Sequence, residues 1–333
     1  MIRIGFLSAA HIHTRGFLKS IGELEGVSAT LIWDDDATRG RAYAEAFGTA
    51  YVESLDEAIA DDRIDAWIIT AENTRHLPLL ERSIPIGKPI MCEKPLVTTD
   101  ADLARLRALI VEHRPTLTNG YFMPHQPAYR SAARALGDGL LGRVTHASFR
   151  NAHHAAYGRW FDKPELRWFT DPALAGGGAL MDMGAHAVHL LRLMFGPVES
   201  VWATTANLSG VYPAVDDWGV IEMRFASGVV GRAEAGWVMP ASPGGLEVVG
   251  ETGTLRVDNG TGQVLRLRQD REQLAIDSGT ERPSRVHRLV AAARGELDAG
   301  EMADDLAAAL DEVTIMAAAY RSAESGGWQA VGG

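Results

Sequence analysis

Along the first 120 residues, short unbroken apolar runs alternate with segments whose apolar positions recur at helical spacing. The runs are Ile2–Leu7, Val27–Trp33, Ala66–Thr70, Pro89–Cys92 and Thr116–Thr118. Apolarity without alternation over so few residues is how a strand covered on both faces reads. Between the runs lie helix starts. Ser54-Leu55-Asp56-Glu57 forms a capping box, in which the Ser oxygen and the Glu carboxylate satisfy reciprocal backbone donors. Thr99-Asp100-Ala101-Asp102 leads into the periodic Leu103, Leu106 and Ile110, with acids in the first turn where the helix dipole favours them. Strand–helix alternation of this kind predicts a parallel sheet with helices on both faces.

Past Tyr121 the pattern changes. Val144–Arg150, Val198–Asn207, Trp218–Phe225, Val229–Trp237, Leu246–Gly250 and Thr254–Val257 follow one another, several alternating, with turns such as Ala226-Ser227-Gly228 and Glu251-Thr252-Gly253. Strands in succession predict a largely antiparallel sheet. Two helices stand out. One spans Ala179 to Phe195 and stops at Gly196-Pro197, and the other spans Ala303 to Ser325 and ends at Gly326-Gly327. The expected fold is α/β. A doubly wound parallel sheet over residues 1–120 precedes an α+β domain with a large, mostly antiparallel open sheet over 121–333, whose C-terminal tail is able to pack back on the first domain. The pattern contains no internal repeat, low-complexity tract or long linker.

Composition narrows the class. A chain of 333 residues, 46% hydrophobic and 23% charged, is that of an ordinary globular enzyme. It can bury about three quarters of its unfolded surface without a staple. The single cysteine, Cys92, rules out an intramolecular disulfide framework and reads as a buried strand residue rather than a nucleophile. With 32 basic against 43 acidic residues, a formal charge of −11 argues against a nucleic-acid partner. The first apolar run is too short for a signal-peptide core, and no uncharged stretch reaches the ~20 residues of a membrane helix. A cytoplasmic protein with no membrane partner is expected.

The turn after the first run, Ser8-Ala9-Ala10-His11-Ile12-His13, stands where a strand–turn–helix unit aims backbone N–H groups at a pyrophosphate. Ser and Ala keep it small in place of the usual three glycines. His11 and His13 are phosphate contacts or surface and packing histidines. About 20 residues on, Asp34-Asp35-Asp36 ends the second run. Asp34 there would accept hydrogen bonds from the adenosine ribose, while Asp35 and Asp36 suit a helix cap. Three carboxylates would repel a 2′-phosphate, which favours NAD over NADP. Later runs end in Thr70-Ala71-Glu72-Asn73-Thr74-Arg75-His76 and Cys92-Glu93-Lys94-Pro95, at strand ends where open α/β sheets bind ligands.

Taken in order, these features are followed by Gly176-Gly177-Gly178-Ala179-Leu180-Met181-Asp182-Met183-Gly184-Ala185-His186 and by a closing Tyr320-x-Ser322-Ala323-x-x-Gly326. The whole resembles the glucose–fructose oxidoreductase / inositol dehydrogenase family (Gfo/Idh/MocA), in a branch where Ser-x-Ala-His replaces the Gly-x-Gly turn. The resemblance spans nearly the whole chain. It implies a Rossmann domain holding NAD through Ser8, Ala10, His11, Ile12, Asp34, Thr70, Asn73, His76, Glu93 and Lys94. It also places Lys94 between nicotinamide and substrate, and members often have a cis bond before the proline equivalent to Pro95. One departure is His189, where many members carry Asp.

Hydride transfer at a carbinol needs a partner for the hydroxyl proton and a charge for the developing alkoxide; the cofactor supplies the rest. Asp182 and His186, four apart on one helix, share a face. His186 is assigned as general acid/base, with Asp182 as its orienter or as an acceptor of a substrate hydroxyl. Lys94 would polarise the substrate oxygen, and which of Lys94 and His186 is the proximal base stays open. Gly176–Gly178 would let the backbone approach cofactor or substrate.

His153, His154, Tyr157, Arg159, Trp160, Arg167 and Trp168 make a polar-aromatic cluster, and Tyr121 follows the last parallel strand. Together with His189, these are substrate contacts or part of an oligomer interface. Asp182, His186 and His189, with His153 or His154, would compose a metal site, but the same groups are already used and no metal is expected. The leading expectation is an NAD-dependent oxidoreductase acting on a secondary hydroxyl of a sugar, cyclitol or related polyol, assembled as a homodimer or homotetramer through the second sheet. The competitors are a glycoside hydrolase or lyase with NAD as internal redox relay, a non-catalytic NAD-sensing regulator, and an imine or biliverdin-type reductase.

Overall fold

The computed structural model describes residues 1–241, 244–258, 264–269, 272–275 and 284–332, with the segments 264–269 and 272–275 described by backbone alone. The chain divides into two compact units. The first comprises Met1–Gly120, Asp162–Gly176 and Pro283–Leu310, and the second Tyr121–Phe161, Gly177–Arg282 and Asp311–Gly333.

In the first unit β1 (Ile2–Leu7), β2 (Val27–Trp33), β3 (Ala50–Val52), β4 (Ala66–Ile69), β5 (Ile90–Cys92) and β6 (Leu117–Asn119) form a parallel sheet in the order β3-β2-β1-β4-β5-β6. The order reverses between β1 and β4, and the crevice beyond their carboxyl ends is where such sheets take ligands. Gly5 of β1 pairs with Trp67 of β4, whose ring occupies the space a Cβ would need. Ile4, Phe6, Ile32, Ile68 and Met91 pack under Phe17, Leu18 and Ile21 of the helix Thr14–Gly22. Val286, Leu289 and Val290 of the helix Arg285–Ala293 join the same core, so residues from far along the chain complete this unit. Side-chain caps stand where the sequence places them: Thr99 accepts from Asp102 N, Asp36 from Thr38 N and Arg39 N, and Ser54 from Glu57 N, which is the serine half of the capping box expected there.

Among the described residues of the second unit nine strands follow: β7 (Val144–Ala152), β8 (Val198–Ala206), β9 (Trp218–Phe225), β10 (Val230–Gly236), β11 (Gly245–Gly250), β12 (Thr254–Asp258), β13 (Val264–Gln269), β14 (Glu272–Ala275) and β15 (Gln329–Ala330). Their order is β14-β13-β12-β11-β7-β10-β9-β8-β15. Every pairing is antiparallel except β7 with β10. Burial alternates along β10, with Ala233 and Ala235 inside and Arg232 and Glu234 outside. The inner face packs on Val188 and Leu191 from one helix and on Ile315, Met316 and Ala319 from another. On the outer face Arg150 pairs with Glu234 at 2.8 Å and Arg232 with Glu222 at 3.0 Å, side chains that keep a sheet face wet.

Two helices differ from expectation. The segment expected as one α-helix from Ala179 to Phe195 opens with a π-helical turn, Leu180–Gly184, before the α-helix Ala185–Phe195. That wide turn is where side chains from elsewhere in the unit take the first backbone donors, as detailed below. The last long helix begins at Ala299 rather than Ala303, because Asp298 accepts from Glu301 N at 2.7 Å and starts it earlier.

Candidate active site

Ser8, the residue after β1, stands in the left-handed region at φ 71°, the position where a glycine would be at ease. The turn is held from several sides. Ser8 N donates to Trp33 O, Thr70 Oγ1 to Ser8 O, His11 N to Thr70 O and Trp168 Nε1 to Ala10 O, at 2.6–3.1 Å. Ala9 and Ala10 are buried and Ile12 is exposed. The helix that follows has no side chain capping its first N–H groups and no acid in its first turn, so its positive end is open to an anion.

Asp34, expected to accept from the ribose, is already committed. Oδ2 accepts from Ala9 N at 2.7 Å, Arg39 Nε at 2.9 Å and Ser8 Oγ at 3.4 Å; Oδ1 accepts from Arg39 Nη2 at 2.7 Å and Asp36 N at 2.8 Å. Burial pushes its carboxyl up, against the pull of Arg39, whose guanidinium is held further into its charged range by Asp34 and Glu72. Five donors fill that carboxylate. Asp35, by contrast, lines a cavity of about 360 Å³ with Ser8, Trp33, Leu55, Arg75 and Leu79, and it pairs with Arg75 of that lining and with Arg39.

Glu93, at the end of β5, is fully buried. Its Oε1 lies 2.9 Å from His13 Nδ1, 2.9 Å from Arg285 Nη1 and 3.8 Å from His11 Nδ1. Burial alone would raise its carboxyl, but His11, Arg285 and His13 hold it well below the usual range. His11, His13 and Glu93 have metal-ligand chemistry within 4.8 Å of one another, yet Arg285 Nη1 stands 3.2 Å from His13 Nδ1 in their midst, and a guanidinium there repels a cation. Lys94 is buried, and its peptide bond to Pro95 is cis. Asn73 donates to Ala175 O at 2.9 Å while its buried Oδ1 has no donor among the described residues, an acceptor suited to a ligand. His76, expected at the cofactor, instead directs Nδ1 to Pro95 O at 2.8 Å and Nε2 to Ala71 O at 3.1 Å. Both ring nitrogens face backbone carbonyls and burial lowers its basicity, so His76 is a structural histidine.

In the second unit Asp182 lies in the π turn and accepts from Trp237 Nε1 at 3.0 Å. His186 is buried between Tyr121 and Phe122, with ring centroids 5.5 and 5.0 Å away. His189, expected at the substrate, is fully buried and stacked on Tyr121 at 4.0 Å, so it builds the wall behind His186. His153 and His154 flank Trp160 at 4.7 and 5.2 Å. Arg167, expected in that cluster, belongs to the first unit and is exposed. The three glycines also have a different reason from the one expected. A Cβ would strike Thr98 at Gly176, the Tyr320 hydroxyl at Gly177 and the Asp216 carbonyl at Gly178, so protein neighbours require their small size.

Residues 3–121 match the oxidoreductase family with NAD-binding Rossmann fold, and residues 129–256 match the GFO/IDH/MocA C-terminal domain. The chain belongs to the Gfo/Idh/MocA family. It is accordingly an NAD(P)-dependent oxidoreductase, with NAD as its cofactor. It is 26% identical to a dTDP-3,4-didehydro-2,6-dideoxy-alpha-D-glucose 3-reductase of Streptomyces violaceoruber over 97% of this chain and 95% of that one. A 1,5-anhydro-D-fructose reductase of Ensifer adhaerens is 28% identical over 83% of this chain and 84% of its own. The crystal structure of GenD2 from gentamicin A biosynthesis in complex with NAD superposes with TM-score 0.81 at 26% identity, covering 100% of this chain and 97% of that chain.

Within this family member, several site residues escaped sequence reading. Arg39, Arg285, Trp237 and Asp216 act on groups 5, 192, 55 and 38 residues away. Only Arg39 left a local signal, as a cation one helical turn past three aspartates.

Proposed function

We propose that this Gfo/Idh/MocA oxidoreductase acts on a secondary hydroxyl, or the matching carbonyl, of a sugar, cyclitol or related polyol. The observation that carries the reading is the helix Leu180–Phe195, which offers a carboxylate oriented by Trp237 one turn before a buried imidazole. When bound, the nicotinamide would supply the hydride acceptor for the hydroxyl as NAD, or the hydride donor for the carbonyl as NADH. The chain's own residues do the remainder. The open helix end after Ser8–Ile12 fits a pyrophosphate, Asn73 Oδ1 offers an acceptor, and Asp35, facing the cavity where Asp34 does not, accepts from the adenosine ribose. His186 takes or returns the hydroxyl proton, and Asp182 orients it or binds a neighbouring hydroxyl. Lys94 polarises the oxygen as charge develops on it. Tyr121, His153, His154 and Trp160 provide ring faces and polar edges of the sort that bind sugars.

Names of relatives, such as inositol 2-dehydrogenase and D-xylose 1-dehydrogenase, support a polyol substrate. Among the described residues no helix is long and apolar enough to cross a membrane. A cytoplasmic homodimer or homotetramer, joined through the outer face of the nine-stranded sheet, completes the reading. The charges there alternate in sign, so a second copy can match them; light scattering at micromolar concentration that finds a monomer removes this part. The decisive assay follows nicotinamide absorbance with NAD and NADP over a panel including myo-inositol, D-xylose and 1,5-anhydro-D-fructose. Turnover of at least one compound is expected. Silence across the panel by protein that still binds NAD overturns the substrate class.

A further inference from the structure

The amides at the start of a helix have no partner inside it, and one local side chain two or three residues upstream ordinarily satisfies one or two of them. The helix that carries Asp182 and His186 is held differently. Gly178 N donates to Asp216 Oδ1 at 3.1 Å and to the Tyr320 hydroxyl at 3.3 Å; Ala179 N donates to Asp216 O at 2.8 Å. Leu180 N donates to Asp216 Oδ2 at 2.8 Å and Met181 N to the Tyr320 hydroxyl at 3.1 Å. The Tyr320 hydroxyl itself donates to Asp216 Oδ1 at 3.0 Å. Four consecutive backbone donors, the last immediately before Asp182, thus end on two side chains and one carbonyl brought from distant parts of the unit.

We propose that Asp216 and Tyr320 form a clamp that positions the acid/base helix, setting where Asp182 and His186 present their side chains to substrate. They are positioning residues, and the inference rests on the reading of Asp182 and His186 as the reacting pair. The clamp accounts for two motifs at once. Gly177 and Gly178 are glycine because the Tyr320 hydroxyl and the Asp216 carbonyl lie against them, and the tyrosine near the chain's end is fixed by the glycines some 140 residues earlier. It also suits the π turn. A local cap would close the first turn tightly, whereas acceptors arriving from outside leave it wide enough for Asp182 to reach Trp237. An acidic acceptor at this end also has the sign that the helix dipole favours.

Tyr320→Phe removes one oxygen and keeps the ring; Asp216→Asn keeps the volume and turns one acceptor into a donor. Two readouts apply to both variants: hydrogen–deuterium exchange of peptides covering 178–186, and kcat, substrate KM and NADH affinity on a compound that the wild type turns over. With a clamp, exchange over 178–186 rises about tenfold while peptides covering 198–206 and 218–225 stay unchanged. At the same time kcat falls roughly 10- to 100-fold, with NADH affinity within twofold of wild type. Unchanged exchange overturns the clamp. Raised exchange with unchanged kcat overturns its positioning role, and so does a uniform rise across the unit with lost NADH binding. A wild type that turns over nothing is a failure of the functional reading, and the exchange result still decides the clamp. Should Tyr320→Phe not fold, Asp216→Asn is judged by the same outcomes.

Discussion

The indole of Trp237 donates to Asp182 Oδ2 at 3.0 Å across 55 residues of chain. The tryptophan is immobile for identifiable reasons. It is fully buried, its backbone N–H donates to Asp217 O, its C=O accepts from Ala156 N, and Phe161 packs 4.7 Å from its ring. A fixed donor leaves the carboxylate one orientation. Trp237→Phe keeps most of the apolar surface and deletes this bond. A hydrogen bond to a charged group is worth about 1.5–3 kcal/mol, so kcat is expected to fall at least about tenfold in steady-state assays while NAD affinity holds. Wild-type kcat in the variant removes Trp237 from the site.

Lys94 and His186 are assigned chemistry rather than binding of the cofactor's adenosine half. Lys94→Ala and His186→Ala are each expected to bind NAD as wild type does and to turn over about 10²- to 10⁴-fold more slowly, the usual worth of a positioned acid or base. Fluorescence titration with NADH and steady-state rates separate the two effects. Near-normal turnover in both variants sinks the assignment.

The sheet elements were legible because their signals are local. Ile2–Leu7 and Val27–Trp33 read as strands from composition alone, and Ser54, Thr99 and Asp36 announced their helices through side-chain oxygens two or three residues from the amides they cap. The strand Ala50–Val52 was not read, since three residues at a sheet edge carry no periodicity. The site was legible as a set of motifs but not as a geometry. Nothing adjacent to Asp34 says that Ala9 N will fill one of its oxygens, and nothing near Glu93 announces Arg285. His76 and His189 look like ligand groups in sequence, and only tertiary packing shows one bonded to backbone carbonyls and the other stacked on Tyr121.

Two neighbouring aspartates are expected to behave in opposite ways. Asp34→Asn strips Arg39 of its two-point buried partner while Glu72 and Asp35 stay beside it, and a hydrogen bond to a charged group is worth about 1.5–3 kcal/mol, so a clear fall in thermal stability is expected. Asp35→Asn touches an exposed network and should change stability by less than about 0.5 kcal/mol. Its effect lies in cofactor choice: NAD affinity falls and the preference for NAD over NADP narrows, because a carboxylate that accepts from ribose and repels a 2′-phosphate is gone. Equal effects of the two substitutions on NAD affinity would contradict the division of roles.

At Ser8 two small energies oppose each other. A non-glycine residue in the left-handed region costs about 1–2 kcal/mol. The hydroxyl in return accepts from Ala10 N at 3.3 Å and donates to Asp34 at 3.4 Å, long bonds worth up to about 1 kcal/mol each. Ser8→Gly relieves the first and forfeits the second, so its stability should lie close to wild type. Ser8→Ala keeps the strain and loses both bonds, and is expected to be less stable by about 1–2 kcal/mol. Denaturant titration of the two variants gives the order, and Ala at or above Gly would show that the backbone at Ser8 is not strained.

Glu93 gives a prediction whose sign follows from its surroundings. His11, His13 and Arg285 hold its folded-state carboxyl well below the ordinary value of 4.5, in spite of burial. The unfolded chain therefore binds a proton at Glu93 more readily than the folded one, and the stability this carboxylate confers is present in full above pH 4.5 and is lost as the pH falls from there toward its folded value. Gln cannot titrate and leaves Arg285 without its buried counter-charge, so Glu93→Gln should be less stable than wild type by about 3–5 kcal/mol at pH 7. That gap should stay level down to about pH 5 and close progressively below pH 4.5, as wild type alone loses its advantage. Denaturant unfolding of both proteins between pH 3.5 and 8 measures it. Parallel curves over the whole range would mean that Glu93 is not held ionised by His11, Arg285 and His13.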